Sequence, residues 1–240
     1  MHFAYLLTFR APPGVNVTDR DFATVERIVR QTPELQRAHL HKPAASKDYY
    51  IDDGPSPTLA LQLDFLSIDA LESAVASEGH LQALVTQPWE ILDKCDVEQQ
   101  AMAIRRFPVM DGQYRVAPGE LPVSYLVHYP GEAEDFGVWI NYYLTHHPQI
   151  MAKFAGIREI EIYTRVDWLD AMPYRRVHYM QRNKLIFDNE AALNAANFSD
   201  VRHEMRQDFE AFPPFTGGNL HYPMHTLVIE PNPEGMPPLE

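Results

Sequence analysis

The stretch Tyr142-Tyr143-Leu144-Thr145-His146-His147-Pro148 indicates how this 240-residue chain is organised, because an earlier stretch matches its position. Residues 27–33, Arg-Ile-Val-Arg-Gln-Thr-Pro, lie opposite it at an offset of 115 residues. Residues 65–77 match residues 187–199 at an offset of 122, and Tyr5 matches Tyr125 at 120. Offsets close to half the chain length predict one structural unit present twice, with this histidine pair only in the second copy.

Each predicted copy has the order strand, helix, strand, strand, helix, strand. Apolar runs predict the strands, and apolar residues at helical spacing behind Asp or Ser predict the helices. The strands are expected at 3–9, 35–42, 58–66, 95–109, 123–129, 157–166, 175–187 and 221–230, and the helices at 19–32, 67–84, 134–147 and, with an interruption, 189–211. Such ferredoxin-like βαββαβ units have one open sheet face. We therefore expect an α+β fold in which the two antiparallel sheets pack face to face as an intrachain barrel around a ligand-sized space.

The domain boundaries follow from this order. Residues 1–109 are predicted to form the first ferredoxin-like repeat, with a degenerate motif, and residues 123–230 the second, which carries the active site. Residues 110–122 contain Asp-Gly and Pro-Gly turn signals and are expected to be the linker. The proline-rich tail 231–240 is expected to be mobile or to lie over a neighbouring molecule.

The composition of the chain excludes several classes of binding partner. The net charge of −13 argues against binding to nucleic acid or to an anionic membrane. The lone cysteine, Cys95, excludes an intrachain disulfide and a cysteine-based metal cluster, which fits a reducing cytoplasm. No apolar stretch approaches membrane-spanning length, and residues 3–9 lack a basic flank and the length of a signal sequence. A cytoplasmic protein with a small-molecule partner is expected, and self-association stays open.

Trp139, Tyr142-Tyr143 and His147-Pro148 resemble the signature of the EthD-like branch of the dimeric α+β barrel superfamily, here as a tandem-fused chain. That signature places one residue between its histidine and its proline. In this chain His146 keeps the spacing to the proline, whereas His147 keeps the helical spacing to Tyr143, and we favour His147. The resemblance implies a barrel that binds aromatic, polyketide-derived or ring-fission acids. It also implies chemistry that is often cofactor-free, namely isomerisation, cyclisation, dehydration or oxygenation.

Two histidines are the main candidates for proton transfer. His147 shares a helix face with Tyr143 and could titrate near neutrality, although a histidine there could instead cap the helix end. His128 alternates with apolar and aromatic neighbours on its strand, which directs it into the barrel and makes it the leading general-base candidate. The alternative is a hydrogen-bonded structural histidine. The first copy has Gln31 and Thr32 opposite the histidine pair and should lack this capacity.

The predicted strand 175–187 concentrates positive charge in an acidic chain. Arg176, His178 and Arg182 would share one face of it, with Arg175 on the other. A guanidinium binds a carboxylate bidentately, so these arginines could hold a carboxylate substrate, with His178 as a further catalytic candidate. The alternative is a solvated strand edge.

His221 and His225 share a face of the last predicted strand and are further candidates for substrate binding, as is Trp139 of the signature. The two histidines have the spacing of metal ligands, but no Asp or Glu stands beside them at a convincing spacing. No phosphate-binding loop or nucleophile motif is present. We therefore expect neither a metal nor a cofactor.

These features predict a cofactor-independent isomerase or lyase that acts on a small unsaturated carboxylic acid by acid–base chemistry. The specific hypothesis is a cis–trans or tautomerising isomerase of a ring-fission product in aromatic catabolism. Moving a proton on a hydroxydienoate makes a double bond transiently single, and a tyrosine hydroxyl, for which Tyr143 is the catalytic candidate, could stabilise the developing enolate. One alternative is a cofactor-free or haem-linked monooxygenase of the same superfamily, the haem requiring an axial histidine in a ring-wide apolar cavity. The other is a non-catalytic ligand-binding barrel.

Overall fold

The structure, a computed structural model, describes residues 1–230; the predicted tail 231–240 lies outside the described residues. Nine strands and six α-helices are present in this part of the chain. The strands are β1 (His2–Arg10), β2 (Leu35–Pro43), β3 (Leu59–Phe65), β4 (Asp96–Phe107), β5 (Val123–Tyr129), β6 (Ile157–Arg165), β7 (Arg175–Arg176), β8 (Gln181–Phe187) and β9 (Leu220–Ile229). The helices are α1 (Asp19–Arg30), α2 (Ile68–Val75), α3 (Ala83–Thr86), α4 (Phe136–Met151), α5 (Glu190–Asn197) and α6 (Asp200–Glu210).

Eight of these strands form one closed antiparallel barrel. Their order is β4-β1-β3-β2 in the first half of the chain and β9-β5-β8-β6 in the second, which is the same order when each half is counted from its own first strand. The halves join edge to edge at β2–β9 and β4–β6. The α+β barrel expected from the sequence is therefore present, but hydrogen bonds at these two seams close it into one sheet. Whether the halves superpose as repeats stays a prediction.

The helices pack on the outside of the barrel, where they cover apolar side chains that the strands direct outward. In the first half, helices α1–α3 cover a core that includes Tyr5, Leu61 and Leu71. In the second half, α4–α6 cover a core around Trp139 and Phe187. Among residues 1–230, no helix combines the length and the apolar character that crossing a bilayer requires.

The helices begin at side-chain caps. The Ser67 side chain accepts a hydrogen bond from Ala70 N, as the sequence indicated. Helix α1 is capped by Thr18, whereas the sequence predicted Asp19 or Asp21 as its cap. Asp21 has a different role, because its carboxylate accepts hydrogen bonds from the backbone of residues 90–92. This contact ties α1 to the segment that leads into β4.

Three local predictions were wrong. The strand expected at 175–187 is divided into β7, which runs parallel to β4 outside the closed ring, and β8 inside it. The helix expected at 67–84 breaks after α2, where Gly79 lies so close to the backbone of Ala74 that a side chain there would clash. Helix α4 continues through Pro148 to Met151. A proline cannot bond the carbonyl one turn back, and Gln149 Nε2 donates to this carbonyl, Leu144 O, at 3.4 Å instead.

Candidate active site between the barrel and its helices

A cavity of about 250 Å³ lies between the outer face of the second-half sheet and helices α4–α6. We call it the helix-side cavity. Its walls are largely aromatic and aliphatic, with two histidines and several amide and arginine side chains among them. Its lining includes Tyr50, Tyr125, His147, Asn183, Arg202 and His221.

His147 is presented to this cavity by α4 and oriented by α6. Its Nδ1–H donates to Asp208 Oδ2 at 2.6 Å, because an ionised carboxylate can only accept. Nε2 is then the basic nitrogen that remains. Burial lowers the pKa of His147 although the Asp208 carboxylate opposes this, so the ring is neutral at pH 7. A neutral imidazole with a fixed tautomer has the properties of a general base.

The rest of the signature lies behind or beside this histidine. His146 is exposed, where its Nδ1 bonds Tyr142 O at 2.9 Å and its ring stacks on that of Tyr142. Trp139 is fully buried and stacks on Tyr143, with their ring centroids 5.1 Å apart. The Tyr143 hydroxyl accepts from Asn183 Nδ2 at 2.6 Å. Of the two candidate histidines, only His147 lines the cavity, whereas Trp139 and the catalytic candidate Tyr143 lie in the core behind it.

A second histidine–aspartate pair lines the same cavity. His221 on β9 donates through Nδ1 to Asp53 Oδ2 at 2.8 Å, and its backbone N donates to the same oxygen at 2.8 Å. Asn219 Nδ2 lies 3.4 Å from the remaining ring nitrogen, Nε2. Burial lowers the pKa of His221, against the opposing effect of Asp53. This imidazole is also neutral and oriented at pH 7.

The first half of the chain supplies part of this site. The segment that follows β2 crosses the seam and brings Tyr50, Ile51 and Asp53 to the cavity in the second half. Asp48 of the same segment lies behind two residues of the cavity wall. Asp48 accepts hydrogen bonds from Arg202 Nε at 2.8 Å and from the Tyr125 hydroxyl at 3.3 Å. The site is thus built by both halves, although its histidines come from the second alone.

Arg202 is the buried cation of the helix-side cavity. Its side chain is 10% exposed, its Nε is bound to Asp48, and its guanidinium lies 5.2 Å from the centroid of the Tyr50 ring. Hydrogen-bond donors remain on its other nitrogens. Arg202 is therefore placed to bind a carboxylate or to stabilise an enolate oxygen in the cavity.

The barrel interior is filled by side chains instead of enclosing a substrate-sized space. Lys184 is fully buried and donates to Glu161 Oε2 at 2.8 Å and to Gln62 Oε1 at 3.1 Å. His128 points inward, as predicted, but the interior space beside it measures about 20 Å³. This volume holds about one water molecule. An organic substrate does not fit at His128 in this conformation.

The arginines predicted to act together are separated. Arg175 pairs with Asp96 at 3.0 Å and with Glu98 at 2.6 Å, and Arg176 binds Asp170 and stacks over the Trp168 ring. Both are exposed, whereas Arg182 on β8 is buried in the barrel interior. The division of the predicted strand into β7 and β8 causes this separation. None of the three lines the helix-side cavity.

Two other candidates also lie away from this cavity. His178 is exposed in the segment between β7 and β8. His225 faces outward on β9, where its Nε2 lies 3.1 Å from Glu190 Oε1. It therefore shares a strand face with His221 without sharing the cavity.

Sequence patterns did not reveal Asp208, Asp53, Asp48, Asn183 or Arg202. Each lies on a helix, strand or loop whose local pattern shows only a polar residue at an ordinary position. An acid facing a motif histidine could be proposed only once the contact between α4 and α6 was known. These residues are recognised as part of the site only from tertiary contacts, which a local sequence pattern does not contain.

A metal or a haem is not supported by this arrangement. Within residues 1–230 no group of three or more His, Cys, Asp or Glu side chains is arranged to hold a metal ion. His147 could offer Nε2 to a haem iron, but the cavity of about 250 Å³ lies below the roughly 300–1,000 Å³ typical of sites for drug-sized ligands. A porphyrin needs more room, so the cavity suits a compact ligand.

The fold is shared with several solved structures. An anthrone oxidase-like protein superposes with a TM-score of 0.60 at 12% identity, over 95% of this chain and 93% of its own. A protein from Lactobacillus acidophilus NCFM, provisionally described as a monooxygenase, gives 0.56 at 10% identity over 95% and 96%. A second protein described in this way, from Fusobacterium nucleatum, has a TM-score of 0.60 at 7% identity, and the match covers 95% of this chain and 94% of that protein. The chain therefore shares its fold with these proteins.

Sequence comparison adds no closer assignment. No protein-family profile matches the chain, and a comparison with curated proteins finds no match. At the identities above, the structural likeness shows the fold alone, and the EthD-like resemblance stays a prediction.

Proposed function

We propose that the protein is a cofactor-independent enzyme that removes a proton from carbon on a small unsaturated acid or ketone and returns it elsewhere, as an isomerase does. The observation that carries this proposal is the placement of two neutral imidazoles, each oriented by a carboxylate, on one largely apolar cavity. Such a cavity excludes water and strengthens the electrostatic interactions within it.

In this mechanism His147 Nε2 takes a proton from a carbon next to the substrate carbonyl. The bond to Asp208 stabilises the imidazolium that forms. Arg202, buried beside Tyr50, stabilises the developing enolate oxygen or holds a substrate carboxylate. The proton then returns to a different carbon, and in the meantime the substrate double bond can shift or rotate.

The test uses 3-cyclohexen-1-one, whose isomerisation to the conjugated ketone is followed by ultraviolet absorbance. Wild type should convert it, and His147→Ala should convert it about 10² to 10⁴ times more slowly. The exposed His146→Ala is the matched control and should retain wild-type rates. In D₂O the product should carry deuterium at the carbon to which the proton returns. Conversion that is unaffected by His147→Ala would contradict the role of His147.

A cofactor-free monooxygenase is the second candidate, because the same enolate could react with O₂ instead of a proton. It is supported by fold neighbours described as anthrone oxidase-like and as monooxygenases. An oxygen electrode with anthrone as the probe distinguishes the two. Oxygen uptake that depends on His147 favours the oxygenase, and ketone isomerisation without uptake favours the isomerase.

A further inference from the structure

Arg182 is a buried cation inside the barrel, and residues 1–230 supply no counter-ion that pairs with it. Its residue surface is 3% exposed, and neither Nε nor Nη2 has a hydrogen-bond partner among residues 1–230. Its guanidinium lies 4.6 Å from the centroid of the Tyr179 ring. An aromatic ring attracts a cation but offers no acceptor for the free N–H groups. Burying such a charge is unfavourable unless it is paired.

The acidic groups nearby are already bound to other side chains. Glu98 accepts from Arg175 at 2.6 Å and from the Tyr179 hydroxyl at 3.0 Å. Glu161 binds Lys184 at 2.8 Å and Arg106 at 2.8 Å. Within residues 1–230, no carboxylate forms an ion pair with Arg182.

Arg182 also borders a small space inside the barrel. It measures about 20 Å³, and Arg182 lines it together with Thr8, His41 and His128. His128 lies directly opposite Arg182 in the β5–β8 pairing. The Thr8 hydroxyl and one ring nitrogen of the neutral His128 can donate hydrogen bonds, whereas His41 Nδ1 is already bonded to Thr226 Oγ1 at 2.9 Å.

We propose that this interior pocket binds a halide-sized monovalent anion, chloride under ordinary conditions, as the counter-ion of Arg182. The volume matches about one water molecule, which excludes carboxylates, phosphate and sulfate. A neutral water would satisfy a donor but would leave the charge unpaired. Because the whole chain carries a charge of −13, an anion can be held only by a local cation such as this one.

The first test is thermal unfolding in sodium chloride and in sodium gluconate at equal ionic strength, since gluconate is too large for the pocket. Chloride should raise the Tm of the wild type by about 2 to 4 °C. Arg182→Met should lose this difference, and the surface variant Arg30→Met should keep it. Equal Tm values of the wild type in the two salts would overturn the proposal.

The second test uses only the wild type, so its result does not depend on whether a variant folds. Crystals of the wild type grown in sodium bromide should show an anomalous peak within hydrogen-bonding reach of Arg182 Nε or Nη2. Bromide only at the protein surface, with water alone in the interior pocket, would overturn the proposal. Because this site lies inside the barrel, its outcome is independent of the chemistry proposed for the helix-side cavity.

Discussion

His147 and Asp208 are 61 residues apart in the sequence, and a 2.6 Å hydrogen bond joins them across the contact between α4 and α6. This bond fixes Nδ1 as the protonated nitrogen and leaves Nε2 as the base. The Tyr142 hydroxyl donates to the other Asp208 oxygen at 3.2 Å and helps to hold the carboxylate in place. Asp208 is therefore the positioning residue of the proposed base.

The substitution Asp208→Asn tests this relationship. The amide can donate a proton to Nδ1, which would shift the tautomer and leave Nε2 protonated. Isomerisation of 3-cyclohexen-1-one should slow by about 10² to 10⁴ times. Nitrogen-15 spectra of His147 should show the change of tautomer, which a purely structural role would not produce. Unchanged rates in the Asp208→Asn variant would remove His147 from the mechanism.

A second prediction concerns the contribution of the first half to the site. Asp53→Asn weakens a charge-assisted bond to His221, worth about 1.5 to 3 kcal/mol, so turnover should fall by about 10 to 100 times. The neighbouring Asp52→Asn is the matched control, since of these two acids only Asp53 bonds His221. Equal effects of the two changes would show that the pair between the halves has no specific role.

The third prediction concerns ligand charge. Titration calorimetry with sorbate and with methyl sorbate compares an unsaturated acid with its ester. Arg202→Lys keeps the charge but loses the planar fork, and should weaken sorbate binding by about 1 to 3 kcal/mol with little change for the ester. Arg176→Lys should change neither, because Asp170 and Trp168 hold Arg176 away from the cavity. If Arg176→Lys weakened sorbate binding and Arg202→Lys did not, the arginine cluster predicted from the sequence would be the carboxylate site.

Stability should fall as the pH drops from 7 to 5. Burial lowers the pKa of several histidines below the value near 6.5 that they have in the unfolded chain, so the unfolded state takes up protons first. These are His39, His41, His128, His147 and His221. Each can remove up to about 1.4 kcal/mol of stability per pH unit over this window.

One acid opposes this trend. Burial, reinforced by Glu161, raises the pKa of Asp64 to about 7, so this carboxyl favours folding as the pH falls. Because five buried histidines act against one acid, the protein should lose stability overall as the pH falls. Urea unfolding at a series of pH values measures it, and His128→Gln should give a shallower slope than wild type. A stability that rises towards pH 5 would contradict the assignment of these buried rings as neutral.

Local patterns in the sequence were enough to place most elements of the barrel. The outward residues of β5, such as Tyr125 and Val127, alternate with the inward His128, because the side chains of a strand alternate whatever it packs against. The spacing from Tyr143 to His147 likewise sets a shared helix face. Helix boundaries were less certain, since Pro148 continues α4 where the pattern predicted an end.

The sequence by itself thus determined the α+β composition, the inward direction of His128 and the helix face that His147 shares with Tyr143. Only the tertiary structure decided which side of the sheet offers room for a ligand. It also paired His147 with Asp208 and His221 with Asp53, the latter 168 residues apart, and it separated Arg176 from Arg182. Such contacts depend on how the barrel closes and how its helices pack, and the two- and four-residue periodicities that reveal strands and helices carry no information about them.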